Sequence, residues 1–174
     1  MGLKKYFKQD EFRPKIKINL SEFDRKLELT GLFLLIVLWV VSFFIFKITQ
    51  GEIPTHFDFS GNADNYGSRN SIFLLPVIGT LLFLLMTWLN KYPHKFNYTI
   101  KITTENAEIQ YSLATRLIRW MKIVILLIFI LITLFTYSVA VGGESKYGVL
   151  LLPVIFILSS APVIIYLVKA AKKK

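Results

Sequence analysis

The chain has 174 residues, is 54% hydrophobic and carries 21 Lys and Arg against 11 Asp and Glu, a formal net charge of +10. It contains no cysteine, which excludes a disulfide framework, thiol redox chemistry and any thiolate metal site. Its apolar residues are blocked into long runs rather than scattered, unlike those of a soluble domain. The basic excess follows a membrane-topology pattern, so nucleic acid is not an expected partner.

Residues 1–28 form a basic N-terminal segment with Lys4, Lys5, Lys8, Arg13, Lys15, Lys17, Arg25 and Lys26. Within it, residues 14–20 alternate charged and apolar side chains, which predicts a half-buried strand. Ser21 followed three residues later by Asp24 resembles a capping box, opening a helix that runs through Glu28 into the first apolar run. That run, 29–48, is of the length needed to cross a ~30 Å hydrocarbon core as a helix. It begins too deep and is too long for a secretory leader, so it reads as an uncleaved anchor.

Residues 49–70 are the least apolar stretch between spans and hold His56, one of only two histidines. Pro54 stiffens its start. Thr55, Phe57 and Phe59 alternate with His56 and Asp58, which puts polar side chains on one strand face. Ser60-Gly61-Asn62 and Asn65-Tyr66-Gly67 are turn chemistry. The loop is expected to be compact and to lie on the membrane surface through Phe57, Phe59 and Tyr66.

The second run spans 71–90. Residues 91–117 follow as a second basic segment, in which 97–103 again alternate like a strand, with a pairing to 14–20 as the expected small ribbon. His94 is expected in a turn at the headgroup level. Thr103 or Thr104, with Glu105 and Glu108, opens a cationic amphipathic helix that leads into the third run, 118–141. Arg119 and Lys122, like Lys47 in the first run, sit near a span end, where their heads are expected to snorkel to water. A short connection, 142–146, precedes the fourth run, 147–168, and the basic tail, 169–174.

One pentapeptide recurs: Leu-Leu-Pro-Val-Ile at 74–78 and at 151–155, each after a Tyr-Gly pair. Such a repeat fits two related two-helix halves, with the prolines as kinks or early-turn positions. Ser159-Ser160-Ala161-Pro162 is a weak point of the fourth span where small residues allow close packing. Inside the spans the polar residues are Thr80, Thr133, Thr136 and the serine pair, a set that does not suit a proton relay. Trp88 and Trp120 fall near the basic boundary, and Trp39 lies within the first span.

The pattern Ile53-Pro54-x-His56-Phe57-x-x-x-Gly61-x-x-Asp64-x-Tyr66-Gly67-Ser68-Arg69, followed by a span with Leu75-Pro76, resembles the signature of domain of unknown function 1648. The KIKINLSEFD stretch and the segment from Tyr111 to Lys122 are similar to a bacterial subgroup of that family. The resemblance covers the first two spans and their loop well and the last two loosely. Part of the family is related to membrane immunity proteins that protect against a sporulation-delaying peptide toxin and signal its presence. The resemblance thus implies a toxin-immunity, sensing or accessory role.

The fold class expected is all-α integral membrane: four transmembrane helices, both termini cytoplasmic by the positive-inside rule, and an ordered extracytoplasmic loop between the first two. The expected location is the bacterial cytoplasmic (inner) membrane. Candidate site residues are Pro54, His56, Phe57, Gly61, Asp64, Tyr66, Gly67 and Arg69. Three readings of the loop compete. In the first, His56 and Asp64 bond each other or loop backbone; in the second, the loop is a binding surface; in the third, His56 with Asp58 or Asp64 holds a metal in a membrane enzyme. Catalytic zinc usually takes three protein ligands, and no hydrolase, metalloprotease or phosphate-loop motif is present. A non-enzymatic protein without cofactor is therefore expected. Its partners would be the lipid bilayer and, at the loop, a membrane-active peptide or another membrane protein; a pore or transporter subunit is the remaining alternative.

Overall fold

The structure, a computed structural model, describes residues 13–143 and 145–173. Lys4, Lys5, Lys8 and Lys174 of the basic segments, and Glu144 of the short connection, lie outside the described residues. The element order is α1 (Glu22–Ile48), β1 (Glu52–Phe57), β2 (Ala63–Ser68), α2 (Leu74–Leu89), α3 (Ala107–Ala140) and α4 (Leu151–Lys172). With the short 3-10 turns that lead into α2 and α4, all four helices are long and apolar enough to cross a membrane. The expectation of an all-α fold needs one correction, because the loop after α1 is a two-stranded antiparallel hairpin.

The helix boundaries follow local chemistry. Ser21 caps α1 in a full capping box: its hydroxyl accepts from the Asp24 N–H and the Asp24 carboxylate accepts from the Ser21 N–H. Asn106 closes the turn before α3, accepting from the Thr103 N–H at 2.9 Å and donating to the Lys101 carbonyl at 3.1 Å. The two Leu-Leu-Pro-Val-Ile segments take equivalent places. Each starts its helix directly after a 3-10 turn, so Pro76 and Pro153 fall in the first turn, where a missing N–H costs no helical bond.

α3 is the hub and packs against α1, α2 and α4. Its 34 residues make a helix about 50 Å long, so it projects beyond a ~30 Å hydrocarbon core. α1 and α3 run parallel in one register. Asp24 meets Arg116 at one end, Leu35 and Leu38 pack with Leu126 in the middle, and Ile45 shares a cluster with Tyr137 and Ala140 at the other. α2 returns between them, tied to α1 by the Trp39 indole N–H, which donates to Thr80 Oγ1 at 3.0 Å; that hydroxyl in turn donates to the Pro76 carbonyl at 2.7 Å. α4 is peripheral: 6% of its apolar window is buried, against 33% for α3. Its C-terminus is held where the Gln110 amide donates to the carbonyls of Ala170 and Lys173.

The expected ribbon between 14–20 and 97–103 does not form; neither stretch is a strand. Ile18, Tyr98 and Ile100 instead pack on Ile102, Ala107 and Tyr111, and Arg13 donates to the His94 and Phe96 carbonyls. The apolar residues of both segments meet in one cluster on the start of α3 rather than in a strand pair. His94 lies in a 3-10 turn, Pro93–Lys95, and its pKa is lowered by burial and by the nearby charges of Lys15 and Lys95.

Arg119 and Lys122 do not snorkel. Their side chains are 6% and 1% exposed and both turn inward to Glu28, on α1. Lys122 Nζ donates to a Glu28 oxygen and, at 3.0 Å, to Thr87 Oγ1, and it sits over the Phe83 ring. One turn away, Arg116 makes two parallel bonds to Asp24, at 2.7 and 3.0 Å. A cation buried near hydrocarbon is tolerated when paired, and removing one partner leaves the other uncompensated. Glu28→Gln would leave two buried cations without a carboxylate and is expected to cost about 3–5 kcal/mol. Lys122→Met leaves Glu28 and Arg119 matched one to one, so its cost is about 1 kcal/mol. Thermal inactivation of the detergent-solubilised variants at one temperature is the check: Glu28→Gln should inactivate fastest, and the reverse order would refute the pairing.

Candidate functional site

The hairpin is positioned by its first strand. Ile53, 2% exposed, inserts into a cluster with Ile45 of α1 and Ile72, while Phe73 and Tyr137 close round it. Pro54 beside it is also buried. The ladder pairs Glu52 with Ser68, Ile53 with Gly67, Pro54 with Tyr66, His56 with Asn65 and Phe57 with Ala63. Register shifts leave Thr55 and Asp64 without partners, so the simple alternation expected over 55–59 is broken by bulges.

The strand ends at Phe57 because Asp58 turns the chain. Its carboxylate accepts from the backbone N–H groups of Ser60 and Asn62, both at 2.8 Å, and Gly61 completes the turn with φ +83°. The bond from the Asn62 backbone, helped by those from its side chain, Ser60 and Gly61, outweighs the opposing desolvation and holds the Asp58 carboxyl below its ordinary pKa. Gly61 is required twice. Besides its positive φ, a Cβ there would come 2.5 Å from Gly148 Cα, just before α4. Asn65-Tyr66-Gly67 is not a turn but lies within β2. Gly67 packs closely on Thr55, since a Cβ would meet Thr55 Cγ2 at 3.0 Å and push that side chain back by a few tenths of an ångström.

The candidate residues divide by what the fold already uses. Phe57 packs against Phe135 of α3, ring centroids 4.9 Å apart. Arg69 is a clasp: it donates to the Thr49 carbonyl at 3.3 Å and lies over the Phe46 ring, joining the end of α1 to the start of the next 3-10 turn. Pro54, Gly61 and Gly67 serve packing and the turn. His56, Asp64 and Tyr66 face outward. His56 Nδ1 lies 2.6 Å from Asp64 Oδ1, with side chains 66% and 47% exposed, as the bonded-pair reading expects. Asp58 is directed into its own turn, and among the described residues no three His, Asp or Glu side chains converge on one point.

Of the three rings expected at the membrane surface, Phe59 and Tyr66 are exposed while Phe57 turns in against Phe135; the turn carries Phe59 off the strand face. One feature escaped sequence reasoning. A cleft of about 380 Å³ opens between the hairpin, α3 and α4, lined by Phe57 and Phe59 together with Ile132, Phe135, Leu151 and Ile155. The helix residues lie in uniformly apolar runs, which carry no local mark of a cleft.

The turn is expected to be acid-sensitive. A depressed carboxyl pKa makes its contribution complete above the ordinary carboxylate value, about 4, and lost as pH falls through the lower folded value. Hydrogen-exchange protection of the Ser60 and Asn62 amides should therefore hold from neutral pH to that range and fail below it. Asp58→Ala should abolish protection at every pH.

No curated protein and no solved structure matches this chain. Residues 33–80 match the profile of the family described as Domain of unknown function (DUF1648). The match runs from α1 through the hairpin into α2, so the likeness to that family lies in the first helical pair and the loop between them of a multi-pass protein with four candidate membrane-spanning helices among the described residues.

Proposed function

We propose that the protein is a non-enzymatic component of a bacterial cytoplasmic membrane, with both termini in the cytoplasm and the hairpin outside, and that it acts in toxin immunity or sensing. The basic segments 13–26, 91–122 and 169–173 gather at one end of the bundle, and the positive-inside rule assigns that end to the cytoplasm. The hairpin then captures a membrane-active peptide, or meets another membrane protein, at the outer surface.

One observation carries this reading. The hairpin is tied to α1, α3 and the start of α4, yet it presents Phe59, Tyr66 and the His56–Asp64 pair outward, beside an apolar cleft. Aromatic rings held on a rigid support lose little entropy on contact, and the cleft offers an apolar side chain a place to go. An exposed pair such as His56–Asp64 adds little to folding, which leaves it free to orient a ligand.

His56→Ala and Asp64→Ala are therefore expected to inactivate thermally within about fivefold of the wild-type rate. In a peptide-sensitive bacterial host challenged with membrane-active peptides, wild type should protect. Each variant, at equal membrane abundance, should lose about tenfold in protective concentration. Full protection by both variants, or no protection by wild type against any peptide, would sink the reading.

A further inference from the structure

At the end of the bundle opposite the hairpin, a pocket of about 540 Å³ lies between the extended segment 16–20, α1 at Glu28, the end of α2 and α3 at Thr115 and Arg119. Its walls include Lys17, Lys91 and Arg119, with Glu28 the only carboxylate among the described residues that line it. That carboxylate is engaged twice, by Lys122 and by Arg119, so the buried trio keeps a net positive charge. Arg119 is 5% exposed. Its Nε lies 3.0 Å from Glu28 Oε1 without the N–H being aimed at it, so that donor has no hydrogen-bond acceptor.

Asn90 adds an independent sign. Both its amide nitrogen and its amide oxygen are buried without a partner at the pocket wall. Burying an amide with neither end paired is unfavourable; a partner that accepts from the amide N–H while facing a guanidinium is an oxyanion, and a hydroxyl on the same group can donate to the amide oxygen. The alternation of Lys17 with Ile16 and Ile18, which forms no strand, is also accounted for: this segment supplies both the charged and the apolar wall. Arg and Lys with an amide donor are the groups that bind phosphate oxygens.

We propose that this pocket is a binding site for a phosphate group, carried by an anionic lipid headgroup or by a soluble phosphate. The site is separate from the hairpin and does not depend on the role assigned to it.

The test uses the full chain, delipidated in a neutral detergent. Retention of phosphatidylglycerol against phosphatidylcholine is read by native mass spectrometry. Protection from thermal inactivation is read with inorganic phosphate against chloride at matched ionic strength. The variants are Asn90→Leu and the double Lys17→Gln/Lys91→Gln, which leave the Glu28–Lys122 pair intact; Arg119→Gln is a third, informative where it folds. Preferential retention of phosphatidylglycerol, weakened about tenfold in the first two variants, supports the site with lipid as the source. Protection by inorganic phosphate, lost in the same variants, supports it with a soluble phosphate as the source. Equal retention of both lipids with no phosphate effect, or the same response in wild type and variants, overturns it.

Discussion

The register between α1 and α3 is the constraint on which the other contacts rest. Two parallel helices cannot be joined by a short turn, so the chain must return through α2 before the partner of α1 is made. The cations of α3 at 116, 119 and 122 recur every three residues, and the carboxylates of α1 at 24 and 28 are four apart, so one face of each helix meets the other. A slip of one residue along either helix would rotate a charge into hydrocarbon, where an unpaired ion is far costlier than a mismatched methyl group. The apolar contacts further along, Leu38 on Leu126 and Ile45 near Tyr137, follow in the same register.

At the other end the same economy takes a different form. Backbone near hydrocarbon must satisfy its own N–H and C=O groups. The loop does so by pairing with itself, and Ile53 pins the ladder into the helices while Asp58 and Gly61 shape the tip. What remains exposed is a small set of aromatic and ionisable side chains on a support that is already ordered.

Much of this was legible in the residues, and the failures have physical reasons. The spans are read from length and apolarity because hydrocarbon admits few alternatives. Ser21 and Asp24, or Ser60-Gly61-Asn62, are read locally because their partners lie within a turn. Glu28, Arg119 and Lys122 were opaque because their pairing joins positions about a hundred residues apart along the chain, roughly the separation of a whole small domain's ends; a cation near a helix end has the same sequence signature whether it snorkels or turns inward. The strands expected at 14–20 and 97–103 fail for a related reason, since alternation marks one apolar face without saying whether a strand or a helix will cover it. Asn65-Tyr66-Gly67 misled because a glycine packed closely on a neighbour looks like a glycine required by a turn. Of the site candidates, the sequence could not separate Arg69, consumed as a clasp, from Tyr66, which is left outward.

The meeting of Gly61 with Gly148 changes the connectivity of the whole molecule. α1, α2 and α3 pack on one another, and α4 leans chiefly on α3. The glycine contact gives α4 a second hold, so a loop of contacts runs from α1 through the hairpin tip to α4 and back through α3. This joint is backbone against backbone, with no side chain to stretch or slide. Lifting the tip of the hairpin therefore removes one of the holds on the hairpin-side end of the least buried helix, so that a change in the loop and the loosening of a candidate membrane-spanning segment become one mechanical step.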